Sequence, residues 1–540
     1  MASINPIANT ALGKERANHL LRRLTFGPTS NDVDSFAQQN ITQALQTLMQ
    51  PTPEPGIPFD PETGNDIFTS TADSNFMGST LSWWLGIMKN SGNNIIDRMA
   101  WFYHTHFTTI QSRIGNGKPI YNQIKLFRYY ALGNFKELSI KICYDNAMLV
   151  HLDGRLNTKN RPQENFGREF LELYTIGKGP QIGPEDYTNF TEQDVKAATR
   201  VLSGFDTSQQ DPALADQETG VIMGEIKGNG TLATQHDADP KTFSDKFQNT
   251  VIAPNEVIDG SATKEAVMDE LQQLADMIFD QEETARHICR KLYRFFVYYD
   301  ITEEIENDII APLAQTFIAN DYEIQPVLEQ LFSSQHFFDE DNAIETDDNK
   351  GAIIKSPLEV VLGTLRFFEI PLSNEANVTS YYGDLDRLRR YLNDQGLNFY
   401  EPFEVAGYQA FHQTPGYNRN WITPIYLANR YNFSTKIFAE PDISEEQNEY
   451  IKTQMLLDYI SNRGIILSDP DAIVQHFVDY LLPEEITTER YDYFKASLLM
   501  DKQSNDEWAN EVVGQEDAIV LSYLNNFMNT LIQSPEYQLF

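Results

Sequence analysis

Residues 161–177 read RPQENFGREFLELYTIG, and they decide what kind of fold this chain can adopt. Phe166, Phe170, Leu173 and Tyr174 recur at three- and four-residue steps, the repeat of an α-helix with one buried side. Glu164, Arg168 and Glu172 fall at i, i+4 and i+8 on the other side. Asn165 and Glu169 lie beside them, so five polar residues share an arc of roughly 140°. Gly177 supplies the stop. Three carboxylates and a guanidinium on one face have two readings. Exposed, they form a ladder in which Arg168 bridges Glu164 and Glu172, worth about 0–1 kcal/mol a pair. Buried, the carboxylates need histidines, arginines or a metal ion as partners.

The helical texture extends outward from this segment. Residues 14–27 and 31–50 read as helices, the first stopped by Gly27-Pro28. Further helices are expected over 80–89, 93–107, 120–131, 134–144 and 191–202. Later in the chain they are expected over 262–279, 281–297, 302–319, 323–334, 356–368 and 382–394. Residues 51–79 are rich in Pro, Gly and Asp and read as a long loop. Between 206 and 260 the periodicity fades, and a small hairpin or irregular insertion is expected around VIMGEI and TLATQ. The acidic run 339–350 reads as a solvated loop. The fold class is therefore mainly α: a large multi-helix, bundle-like architecture with long loops and a small irregular or β insertion near 206–260. The divisions expected are an N-terminal helical domain over 1–205 with a polar His/Glu/Arg core, and the insertion over 206–260. A central helical region over 261–397, an aromatic, Gly- and Pro-rich segment over 398–440 and an acidic helical region over 441–540 follow.

Bulk properties narrow the function. The 540 residues carry a net charge of −37, which repels phosphate backbones, so no nucleic-acid partner is expected. Cys143 and Cys289 are the only cysteines and cannot form a CxxC ligand set. No apolar leader precedes residue 21, and no run reaches about 18 apolar residues, so neither a signal peptide nor a transmembrane segment is read, and the location reads as cytoplasmic. GxGxxG after a strand, GxxxxGK[ST], HExxH and GxSxG are all missing.

The nine histidines are the remaining candidates for chemistry. In WFYHTHF (101–107), His104 and His106 are two positions apart. On a helix they point to nearly opposite sides and cannot chelate one ion together. One of them can face the 161–177 helix. His236 and Asp237 lie in the irregular insertion, His151 follows a helix, and His412 lies in the aromatic segment. These separations match no zinc signature.

Several long stretches, in order, resemble the bacterial proteins of unknown function grouped as DUF1800. They are RRLTFGPT (22–29), WFYHTHF, ALGNFKEL (131–138), QENFGREFLELYTIG (163–177), FTEQDVKAATRVLSGF (190–205) and HDADPKTF (236–243). KSPLEV (355–360), GYQAFHQTPGYNRNWI (407–422) and SPEYQ (534–538) complete the series. The resemblance implies that Arg23, Gly27, Pro28, Trp101, His106, Glu164, Asn165, Arg168, Glu169, Glu172 and Gly177 are pattern positions. It implies the same for Asp194, Arg200, Gly204, His236, Asp237, Lys241, Lys355, Pro357 and Trp421. Position 167 is often alanine in that pattern and is glycine here, at a helix cost of about 1 kcal/mol. Many such relatives carry an export leader. The resemblance supplies no activity.

Two functions compete. One is a non-catalytic helical scaffold or surface-assembly component with a protein partner, slightly favoured because no recognised catalytic motif stands in the chain. The other is a metal-assisted or acid–base hydrolase acting on a polysaccharide or cell-envelope substrate. In it Glu169, Glu172, Arg168 and Glu164 are catalytic, and His106, His236 and Asp237 hold a divalent metal. The aromatic segment 398–424 would line its sugar cleft.

Overall fold

The computed structural model describes residues 2–72, 74–208, 210–341, 350–438, 454–500, 502–514 and 517–540. These residues form 25 α-helices and only two-residue or three-residue strands, so the fold is mainly α with small β elements. Residues 342–349 of the acidic run, 439–440 of the aromatic segment and 441–453 of the last region lie outside the described residues.

Side-chain caps start many of the helices. Thr29 and Asp32 close a capping box at helix Ser30–Ala37, and Asn40 with Gln43 closes another at Ile41–Leu48. The single helix expected over 31–50 is therefore two, because Asn40 accepts the Gln43 amide and begins a new helix. Thr191 and Asp194 start helix Glu192–Val201, and Thr263 starts Lys264–Phe279.

Helices Met77–Asn90, Ile96–His106 and Gly117–Tyr129 pack on one another, and Val378–Asp394 covers the first of them. Helix Glu164–Glu169 lies on Glu192–Val201. Glu282–Phe296 packs against Ala311–Ala319. Helices Pro470–Leu481, Thr488–Leu499 and Asp517–Ile532 form a late layer. That layer returns to the start of the chain: Tyr480 donates to Asp34 at 2.6 Å, and Arg22 donates to the Tyr480 carbonyl at 2.8 Å. One hydrophobic core runs through all these layers, from Ile7 to Tyr537.

The insertion holds three antiparallel pairs: Phe205–Asp206 with Glu225–Ile226, Lys241–Thr242 with Val251–Ile252, and Val257–Ile258 with Ser261–Ala262. VIMGEI thus contributes a strand. TLATQ contributes only isolated bridges, from Leu232 to Asn229 and to Thr263. A fourth pair, Gln181–Gly183 with Asp186–Tyr187, follows the 161–177 segment.

Part of the aromatic segment belongs to the core. Phe399, Tyr400, Tyr408 and Trp421 are buried, and Tyr400 stacks on His104 with ring centres 3.8 Å apart. Among that segment's large apolar side chains Phe403, at 89% exposure, and Ile422 are exposed. Phe399, Tyr400 and Tyr408 of this segment are core, because their rings fill the space beside Trp84 and Trp101.

Candidate functional site

The 161–177 segment forms helix Glu164–Glu169, which widens into a π-helical turn at Phe170–Tyr174 and stops at Gly177. Gly177 has φ +76°, and its amide donates back to the Leu171 carbonyl at 2.9 Å. Gly167 sits where the helix crosses Glu192–Val201. A Cβ there would lie 2.6 Å from Thr199 Oγ1 and 2.9 Å from the Thr199 amide nitrogen. The glycine lost to helix propensity is what allows this close crossing.

The polar face lies at the surface edge of that crossing. Arg168 donates from Nη1 and Nη2 to the two oxygens of Glu192, both at 2.6 Å. Glu164 stands 3.7 Å away as the expected i,i+4 partner. Glu172 pairs instead with Lys178, at 3.2 Å. Glu192, from the next helix, thus takes the place that the helical spacing gave to Glu172. The Arg168 hydrogen bonds hold the Glu192 carboxyl below its ordinary range.

Glu169 differs from its neighbours. It is 9% exposed, and among the described residues its carboxyl has no hydrogen bond or ion pair. Burial first, and the adjacent Glu172 second, push its pKa up to about 7.

The π turn sets out its carbonyls for the side chain of its own C-cap and for side chains from two other helices. Thr175 Oγ1 donates to Phe170 O at 2.6 Å, Lys291 Nζ donates to Leu173 O at 2.9 Å, and His106 Nε2 donates to Tyr174 O at 3.0 Å. Because its partner is a carbonyl, His106 carries its proton on Nε2. The ring is enclosed by Phe102, Phe107, Phe135 and Tyr174. Burial, reinforced by Lys291 and His287, keeps it neutral. His104 faces the other way, into Trp84, Trp101 and Tyr408. Burial and the nearby Arg294 bring Lys291 down to about 7.

His236 and Asp237 are adjacent in sequence and part company in space. His236 is fully buried. Its Nδ1 donates to Ser203 O at 2.7 Å, and its Nε2 meets Glu270 Oε2 at 2.6 Å. The carbonyl contact fixes the proton on Nδ1, so the Nε2–Glu270 contact holds a second proton shared between ring and carboxyl. Lys241 Nζ donates to the other Glu270 oxygen, closing a sealed triad. Asp237 turns outward and accepts from Arg200 Nε at 2.7 Å and Nη2 at 3.1 Å.

His106, His236 and Asp237 therefore each engage their own partners, and among the described residues no group of three or more His, Cys, Asp or Glu is placed to hold a metal ion. Two useful residues escaped the sequence reading. Glu270 interrupts the apolar stripe Val267, Leu271, Leu274 of helix Lys264–Phe279, the mark of a carboxylate that needs a buried partner. Lys291 lies one turn after His287 on Glu282–Phe296, an i,i+4 pair of basic residues facing the π turn. Both cysteines are free and buried. No helix of the described residues is long and apolar enough to cross a membrane.

Of the polar residues that the resemblance marked out, His106, Arg168, Arg200, His236, Asp237 and Lys241 tie helices, π turn and insertion together. No curated protein and no solved structure matches the chain. The model of the family described as "Protein of unknown function (DUF1800)" matches residues 19–539, nearly the whole chain, and the chain belongs to that family.

Proposed function

We propose that the chain is a non-catalytic helical scaffold, a component of a larger assembly that offers its acidic surface to a protein partner. One observation carries the reading. Several polar residues of the family motifs are occupied in joining one element to another, as in the sealed His236–Glu270–Lys241 triad, the His106 bond to the π turn and the Arg168–Glu192 pair. Three surface hollows, of about 560, 490 and 370 Å³, are lined by other residues, including Lys14, Trp83 and Lys125. Polar interiors of this kind favour a single packing over alternatives.

Glu169 supports a second reading, an acid–base hydrolase of a polysaccharide or cell-envelope substrate. A carboxyl without a partner and titrating near 7, beside half-buried Glu172, suits proton transfer at neutral pH. A Glu169→Gln, Glu172→Gln double variant separates the two. The scaffold reading expects it to fold and to replace the parent protein in cells whose own copy is deleted. A folded double variant that cannot do so moves the assignment to acid–base catalysis.

A further inference from the structure

Three stretches distant in sequence, RRLTFGP, KSPLEV and SPEYQ, meet around a cavity of about 40 Å³ that the proposed function does not use. Arg22, Gly27, Lys355, Glu359 and Tyr537 line it. A water needs roughly 10–15 Å³, so the space takes a few waters or one small ion. Gly27, at φ +112°, lets the turn approach helix Pro357–Phe367 so closely that a Cβ would lie 2.7 Å from Gly363 Cα.

The charges around this cavity do not balance. Arg22 is 8% exposed and meets only neutral acceptors: Nε donates to Asn18 Oδ1 and Nη2 to Tyr480 O, each at 2.8 Å, while Nη1 has no partner. Lys355 is 7% exposed. Its ammonium stands over the Tyr537 ring, 3.7 Å from the centre, and among the described residues no oxygen accepts from it. Arg430 lies behind, donating to the Lys355 carbonyl at 2.8 Å. Glu359 is the carboxylate here, and its Oε1 is taken by Arg98. Its Oε2 is buried without a donor. Burial, with Arg22 and Arg430 nearby, drives Lys355 well below its ordinary pKa. In a chain of net charge −37, Arg22 and the Lys355 amine, which burial pushes toward its neutral form, face one cavity whose lining carboxylate is already held by Arg98, and an anion there would satisfy the guanidinium and return the proton to Lys355.

We propose that this cavity is a binding site for a small oxyanion that carries a hydroxyl, such as hydrogen phosphate or bicarbonate. Arg22 and Lys355 donate to its oxygens, and its O–H donates to the orphan Glu359 Oε2. Sulfate offers no such hydrogen at neutral pH and is the weaker ligand. The proposal is independent of the scaffold reading.

Thermal unfolding of the full chain at fixed ionic strength tests it. In 10 mM phosphate the wild-type midpoint is expected to rise by about 2 °C or more over sodium chloride, with sulfate giving less than half that rise. Bicarbonate in place of phosphate identifies which of the two anions is held more tightly. Lys355→Met removes a buried cation without emptying its space, so it is expected to keep its midpoint in chloride and lose the phosphate response. Arg22→Gln is expected to weaken phosphate binding at least tenfold by calorimetry. A wild-type midpoint that phosphate moves no further than chloride overturns the site. So does undiminished phosphate binding in either variant, and equal shifts with sulfate and phosphate overturn the part assigned to Glu359.

Discussion

At the scale of single residues, Glu169 and its neighbours show what helical spacing can and cannot tell. The spacing places Glu164, Arg168, Glu169 and Glu172 on one face, and they are there. It cannot show that Arg168 prefers Glu192 of another helix, or that Glu169 is buried while Glu172 stays half-buried beside Lys178. The consequence is measurable. A carboxyl whose folded pKa is raised to about 7 binds a proton that the unfolded chain has released, so folding stability falls as pH rises from about 4.5 through 7. Glu169→Gln removes that dependence. Its stability is expected to match the parent near pH 4.5 and to exceed it above pH 7, by up to about 3 kcal/mol. Asp145, raised to about 7 chiefly by burial, leaves a second slope of the same sign in both proteins. Denaturant midpoints measured at several pH values check this, and parallel curves for parent and variant would contradict the burial of Glu169.

At the scale of elements, most helices were legible because three- and four-residue steps are long-range signals. Predicted helix 281–297 and observed Glu282–Phe296 differ by a residue at each end. The failures have local causes. Apolar periodicity runs through Asn40 without a break, yet a side-chain cap divides the helix there. The π turn at Phe170–Tyr174 leaves no trace in a pattern read at 3.6 residues per turn. Strands of two residues have no period to read, so the pairing in the insertion was out of reach beyond the VIMGEI strand. Gly167 reverses the propensity argument altogether. Gly167→Ala ought to stabilise a free helix by about 1 kcal/mol. Here its methyl meets Thr199, backbone included, so the variant is expected to lose about 1–3 kcal/mol in chemical denaturation. The triad joins elements in the same way, linking Lys241 of the insertion to Glu270 of helix Lys264–Phe279. Glu270→Leu leaves Lys241 buried without its carboxylate and is expected to cost about 3–5 kcal/mol. Adding Lys241→Met to it should return much of that loss, since apolar replacement of a whole buried pair is often near neutral. Additive losses in the double variant would show that the triad is not a coupled unit.

At the scale of the whole molecule, charge decides between two opposing effects of salt. Sequence counts give 78 acidic against 41 basic residues, a surplus of 37 carboxylates even if every base takes one partner. Surface pairs such as Arg490–Glu536, at 2.6 Å, weaken as salt screens them, though each contributes only about 0–1 kcal/mol. The surplus carboxylates repel one another over the whole surface, and screening relieves that repulsion. Raising sodium chloride from about 20 mM to about 300 mM shortens the screening length from roughly 20 Å to roughly 6 Å. Such exposed pairs lose only part of an already small contribution over that change, while repulsion between carboxylates spread over the surface is largely removed. Interior pairs such as Arg98–Glu359 and Lys241–Glu270 are shielded from the solvent ions altogether. The melting midpoint should therefore rise with salt by several degrees and level off once the screening length falls below the spacing of neighbouring carboxylates. A scanning-calorimetry series in chloride alone measures this. A midpoint that fell instead would mean that the surface pairs outweigh the surplus. The acidic exterior would then be locked into local pairs, with little charge free to meet a cationic partner, and the scaffold reading would lose the surface it relies on.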